Sequence, residues 1–356
     1  MPGAIGWGGK EPPRRPGGGG PAEREYTMST QTSTSSPNKV SFLKRFFIQS
    51  YSSAVSATIL LVLIFSIFTT AFLSNYNLFN LSRTVASYGF IAAAQMMVVV
   101  IGGMNVSVGS VGALCTVVCG LLMQEAHLPS ILVVPITIIA GLICGWINGQ
   151  LITRLKLAPF VITLAMSFIY DGVATGVSHG YPYKVNAGFD ELGRGRFLGT
   201  SQLFALFILL VLVLVVVFRF TLFGRNVLAV GGNEAAARLS GIRADRITVL
   251  CNMLSCGMAA IAAMLWTSRT GSASPTTGAD WMLYSVAVCA IGGISLNGGN
   301  FTAIGFFCGA LILTMVRNGL TMLNVDIYFE KAFLGVIILF AVSVESIRSR
   351  VARRMV

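Results

Sequence analysis

From about residue 52 to residue 347 the chain is a succession of apolar runs, each closed by a short stretch of Gly, Pro, Asn or charge. The run from Ser201 to Phe218 is apolar almost throughout. A helix that crosses bilayer hydrocarbon needs roughly 20 such residues, because each rises only about 1.5 Å. Read this way, the pattern predicts spans at approximately 52–73, 80–101, 106–123, 130–152, 159–179, 201–219, 246–267, 281–293, 300–317 and 331–347. The stretch 281–293 is the weakest, and an eight-span variant fits as well. The expected fold is an all-α, polytopic transmembrane helix bundle of about ten spans.

Composition strengthens this reading. The 356 residues are 54% hydrophobic and 11% charged, against about 25% charge in a soluble domain. Mean hydropathy is +0.77. The net charge of +12 does not point to nucleic acid, because the basic residues sit in short clusters between apolar runs rather than on one face. They act as orientation signals toward membrane lipid. With the N-terminus inside, Lys44, Arg45, Arg154, Lys156, Arg225, Arg243 and Arg348 are among the internal cations, and the outside keeps half as many, including Arg83, Arg196, Arg269 and Arg317. The positive-inside rule therefore favours an N-in, C-in arrangement.

Residues 1–27 are rich in Gly, Pro and Arg and too poor in apolar groups to form a core. Translation is expected to begin at Met28. The leader to Ser50 lacks a small-residue cleavage site, so the first span is expected to stay. The domains are then a leader over 1–50, a transmembrane domain over 51–347 and a basic tail over 348–356. All seven cysteines lie in or beside apolar runs without metal-site spacing, and His127 and His179 stand apart. They read as buried thiols and as no metal or catalytic constellation.

An internal repeat suggests where a solute passes. Ile101-Gly-Gly-Met-Asn-Val-Ser-Val-Gly109 recurs as Ile291-Gly-Gly-Ile-Ser-Leu-Asn-Gly-Gly299. Glycine-interrupted segments in matching halves of a transporter mark the substrate path, since non-helical backbone at membrane depth survives only beside protein or water. The candidates are Gly102, Gly103, Asn105, Ser107, Gly109 and Ser110 in the first copy, and Gly292, Gly293, Ser295, Asn297, Gly298 and Gly299 in the second. Close helix packing through small residues is the plainer explanation for any one glycine. Asp171, in the fifth span, is expensive within a membrane unless it faces water or a partner; it either lines an outer vestibule or sits at headgroup level.

The internal loop 220–243 carries helix start and stop signals. Asn233 can cap an N-terminus, Glu234 falls in the first turn, Arg238 follows four residues later, and Gly241 supplies a left-handed stop. A helix of barely two turns is marginal alone and gains its stability by docking. The segment Gly231, Gly232, Asn233, Glu234, Ala235, Ala236, Arg238, Leu239, Ser240 and Gly241 is therefore a candidate coupling helix.

Together the segments 102–110, 231–242 and 291–299 carry a resemblance over residues 40 to 347. The chain is similar to the monosaccharide branch of bacterial ATP-binding-cassette importer permeases, the ribose, xylose and galactoside type. The stretch Arg269-Thr-Gly-Ser-Ala-Ser-Pro-Thr-Thr-Gly278 also resembles the family's outer loop. The resemblance implies an inner-membrane translocator that pairs with itself or a paralogue, takes ligand from a periplasmic sugar-binding protein and docks a cytosolic ATPase. With no GxxxxGK[ST] phosphate cradle here, ATP and Mg are expected on that separate subunit, with no cofactor and no catalysis in this chain. Asn105 stands where relatives usually have Asp, and Met282 and Tyr284 stand near positions where they carry acids. The alternatives are an ion-gradient-driven secondary transporter, a membrane enzyme or scaffold around Asp190, Glu191 and His179, and an importer for a nucleoside or another small polar ligand.

Overall fold

The computed structural model describes residues 52–185, 188–197, 199–323 and seven positions between 326 and 339. The leader with Met28, most of the stretch 331–347 and the basic tail lie outside the described residues. Within them the chain is almost entirely helical. In order come α1 (Ser52–Phe68), α2 (Asn75–Val99), α3 (Val108–Gln124), α4 (Ser130–Leu155), α5 (Pro159–Ser178), α6 (Asp190–Arg194), α7 (Gln202–Phe220), α8 (Leu222–Gly232), α9 (Glu234–Leu239), α10 (Ala244–Thr270), α11 (Trp281–Ile291) and α12 (Ala303–Met322). Four two-residue strands form two antiparallel pairs. Tyr183–Lys184 pairs with Ser272–Ala273, and Arg196–Phe197 pairs with Thr200–Ser201.

Local chemistry sets the helix ends. Ser74 Oγ accepts the Asn77 amide at the start of α2, and Ser201 Oγ accepts the Leu203 amide at the start of α7, each satisfying a donor that the first turn leaves open. Pro159 opens α5, where its missing N–H is no loss.

Burial separates two classes of helix. In α4, α5 and α7 only 28% of the apolar window is buried, against 61% in α10 and 56% in α12. Ile131, Ile139, Phe168, Leu209 and Leu212 point outward from the first group. Such faces suit lipid, since hydrocarbon solvates them as well as protein does. Helices α2 and α10 form the centre, with Val85, Ile91 and Met96 of α2 and Cys256, Ala259 and Ala263 of α10 fully enclosed. Helix α4 crosses α10 through Gly141, Gly145 and Gly149. A Cβ on Gly145 would strike the Asn252 carbonyl oxygen, and one on Gly149 would lie 2.7 Å from Val249 Cα.

Nine of the ten predicted apolar stretches coincide with α1 to α5, α7 and α10 to α12, and among the described residues five helices are long and apolar enough to cross a membrane. The main departures are local. At 11 residues α11 rises only about 16 Å, far short of roughly 30 Å of hydrocarbon. The loop 220–243 holds two helices, α8 and α9, where the sequence pattern suggested one.

Candidate coupling and translocation site

Helix α9 is stabilised at both ends. Asn233 Oδ1 accepts the Ala236 amide at 3.0 Å. At the other end Gly241 takes φ +83°. The Ile242 amide reaches the Ala237 carbonyl and the Gly241 amide reaches the Arg238 carbonyl, both at 3.0 Å, which is a Schellman closure. Arg238 bridges Glu234 at 2.8 Å and Asp245, at the start of α10, at 2.5 Å. These two hydrogen bonds hold the Arg238 guanidinium pKa above its ordinary value. The clasp fixes α9 against α10 and leaves Leu239 91% exposed, an apolar knob presented to solvent.

Behind α9 the loop is locked to both repeated glycine motifs. The Gly299 amide donates to the Val100 carbonyl at 2.8 Å, tying the second copy to the residue just before the first. Gly231 packs so closely that a Cβ would overlap the Val100 carbonyl oxygen and lie 2.6 Å from the Gly299 nitrogen. Gly298, at φ +88°, meets the Gly102 amide and the Gly231 carbonyl, and Gly299, at φ +76°, lies on Gly232 Cα. Gly102, Gly231, Gly232, Gly298 and Gly299 therefore form one backbone junction. Nearby, Gly103 faces the Val98 side chain, while Gly292 lies on the Gly305 carbonyl where α11 meets α12. Gly293 takes φ +70° at the helix break. Ser295 Oγ accepts the Asn297 amide at 3.3 Å and the Ser295 carbonyl accepts the Gly298 amide at 3.0 Å, and Asn297 stays exposed.

About halfway along α10 a buried polar network fixes the first break. Asn105 Nδ2 donates to Ser255 Oγ at 2.9 Å, while its Oδ1 accepts the Ser107 amide and hydroxyl at 3.0 and 2.7 Å. Asn148 Nδ2 donates to Ser107 Oγ at 2.8 Å, and Tyr170 donates to Asn148 Oδ1 at 3.0 Å. Thr163 Oγ1 accepts the Val106 amide, and the Gln95 amide, oriented to suit its neighbours, pairs with the Asn105 backbone. Asn105, Ser107 and Asn148 are 0% exposed, so their polar groups are spent on each other. Within a membrane such groups need internal partners.

Two cavities lie toward the far end of α10. One, of about 300 Å³, is lined by Gly109, Ser110 and the exposed Asp171, with Ser167 and Met282. The other, of about 310 Å³, is lined by Tyr88, Trp266, Trp281, Tyr284, Arg317 and Asp280. Both share Thr276, Thr277, Gly278 and Ala279 as a common wall, seated where a Cβ on Gly109 would meet the Gly278 carbonyl. Sequence reasoning picked out the first lining and missed the second. A faint signal existed, since aromatic and arginine residues at helix ends otherwise read as interfacial anchors.

The sequence matches a protein family whose model is the permease component of a branched-chain amino acid transport system, over residues 77–342. The chain belongs to this permease family. It is 37% identical over 294 residues to the ribose import permease of Bacillus subtilis (strain 168), covering 82% of this chain and 91% of the relative. It is 33% identical over 285 residues to the L-arabinose ABC transporter permease of Azospirillum brasilense, covering 80% and 84%. It is 31% identical over 317 residues to the fructose import permease of Rhizobium meliloti, covering 84% and 88%. No solved structure matches. The permease is thus a multi-pass membrane protein and a transport subunit.

Proposed function

We propose that this permease is the membrane-spanning subunit of a bacterial ATP-binding-cassette importer that carries a monosaccharide or similar small polyol across the inner membrane. The observation that carries the reading is α9: a two-turn helix capped at both ends, clasped by Arg238, offering Leu239 to solvent and joined through glycine backbone to both repeat motifs. That is the construction a rigid lever needs. Sugar is favoured over amino acid because the ribose, L-arabinose and fructose relatives align along more than four-fifths of this chain or close to it.

In this reading a cytosolic ATPase subunit grips α9 and supplies the bound ATP and Mg, a periplasmic sugar-binding protein delivers ligand at the opposite face, and a second permease chain completes the pore. The chain has about ten spans with both termini inside. Gly109, Ser110 and Asp171 open on the path, and Asn105 and Ser107 hold the α2–α3 break that shapes it. ATP-driven closure of the motor moves α9, and the glycine junction passes that displacement to both breaks. An ion-gradient carrier is the competing class, and Asp171 beside its cavity is the acid that would serve it.

The test is co-purification of the ATPase subunit with the wild type and with the Glu234→Ala, Arg238→Ala double variant. The variant should insert normally and lose the ATPase. Full ATPase recovery and normal uptake would sink the coupling assignment.

A further inference from the structure

Tyr88, Trp266, Trp281 and Tyr284 come from α2, α10 and α11 to form a continuous aromatic wall. Ring centroids are 4.8 Å apart for Tyr88 and Tyr284, and 6.1 Å apart for both Tyr88 with Trp266 and Trp266 with Trp281. Arg317 of α12 places its guanidinium carbon 5.4 Å from the centroids of Tyr88 and Tyr284 alike, within cation–π range. Tyr88, Trp281 and Tyr284 are at most 5% exposed. These three rings thus face inward rather than toward lipid headgroups, where an interfacial belt would place them, and Trp266 is half-buried beside them. The space of about 310 Å³ is a partly open cleft bounded by these rings, Arg317, Asp280 and the 270–279 stretch. It falls at the lower end of the range for small-ligand sites.

The lining has a definite chemistry. Five hydroxyl-bearing residues of the 270–277 stretch line the cavity, and one cation, Arg317, is matched by one anion, Asp280. Ser274 and Thr276 hydroxyls bond to each other at 2.8 Å and form part of that rim. Rings offer a surface to the C–H face of a flat ligand, and the hydroxyls and guanidinium offer bonds to a polar perimeter. A phosphate ester would bring two charges beside Asp280. A branched apolar side chain would make no use of the hydroxyl rim or of the Arg317 guanidinium. Helix α10 carries α9 at one end and this cavity at the other, about 33 Å along its axis, which places the cavity at the membrane face away from the coupling helix.

We propose that this aromatic cavity is a binding station for a neutral single-ring sugar, held by stacking on Tyr88, Tyr284 and the two tryptophans and by donors from Arg317. The proposal rests on the sugar-import reading above. It explains why an arginine and four large rings occupy membrane-embedded helices around space, and it makes the cavity a point where ligand identity is checked inside the permease.

The test is a fluorescence titration of the full-length permease in lipid nanodiscs, with Trp7 and Trp146 changed to Phe so that Trp266 and Trp281 report. D-ribose, L-arabinose and D-fructose are the probes, and ribose 5-phosphate and L-leucine are the controls. A neutral sugar should shift the emission saturably. Arg317→Gln and Tyr284→Leu should each weaken it roughly tenfold, about 1.4 kcal/mol, while Tyr284→Phe, which keeps the ring, stays within about threefold. No saturable sugar signal in the folded reporter protein, or saturation by leucine or the phosphate instead, overturns the proposal. ATP-driven sugar uptake separates the two claims. If uptake persists and Arg317→Gln leaves its KM unchanged, the station is wrong and the importer stands. If sugar binds here but uptake follows an ion gradient, the station stands and the importer falls.

Discussion

At the end of α10 that bears α9, Gly231, Gly298 and the Val100 carbonyl meet backbone against backbone, whereas at the other end Tyr88, Trp266, Trp281 and Tyr284 stand around a cavity of about 310 Å³. The first region has no side chain to yield, so any displacement of α8 and α9 reaches Val100 and Gly299 undiminished. The second is built from side chains, which can change rotamer when a helix shifts. A transporter needs both: a stiff joint to receive force and an adaptable chamber to hold solute. The network of Asn105, Ser107, Asn148 and Ser255, about halfway along α10, lies between them and keeps the first helix break in a single shape.

The comparison breaks most sharply at the junction. Gly298→Ala combines left-handed strain of about 1–2 kcal/mol with overlap against the Gly102 amide, which adds about 1–3 kcal/mol. The expected result is a steep drop in folded yield and in thermal midpoint, read by a fluorescence-monitored melt in detergent. Gly231→Ala should follow closely, since its Cβ meets a carbonyl that cannot move away. Next comes Asn105→Ala, which strands Ser255 and the Ser107 amide. It should cost about 1–2 kcal/mol, visible in the same melt.

The double variant of Glu234 and Arg238 should leave the melt almost unmoved, because the clasp is exposed, yet abolish ATPase recruitment. The smallest effect belongs to Gly232→Ala. Nothing lies within 4 Å of its Cβ, so the melt should stay or rise by a few tenths of a kcal/mol. If Gly232→Ala proved as harmful as Gly231→Ala, the junction would not be the stiff element described above.

What was legible in the sequence follows from how local each signal is. The α9 cap, its Glu234–Arg238 pair and the Gly241 stop are all contained within nine residues, so the residues that specify them can be read side by side. The apolar runs revealed the helices for the same reason. The 281–293 stretch looked weak because α11 ends where Gly292 and Gly293 break the helix, and length alone could not say whether it spans. The glycine junction was half visible: the two motifs stood out as a repeat, but nothing in the sequence showed Gly231 inserted between them. The aromatic cavity was scarcely visible, although Tyr284 and the 269–278 stretch that line it had stood out singly. Tyr88 and Arg317 come from helices far apart in the chain, and nothing in the sequence places them together. Asn105 and Ser107 were read as groups offered to a passing solute, but their partners, Asn148 and Ser255, lie in other helices and complete their hydrogen bonding.

The most direct measurement is uptake of radiolabelled D-ribose into proteoliposomes holding the permease, its ATPase subunit and the binding protein, with ATP supplied on the coupling-helix side and ionophores present. Uptake that requires ATP, survives collapse of the ion gradients and disappears in the Glu234→Ala, Arg238→Ala variant is the predicted result. Uptake that proceeds without ATP and vanishes when the ion gradient is collapsed would contradict the account.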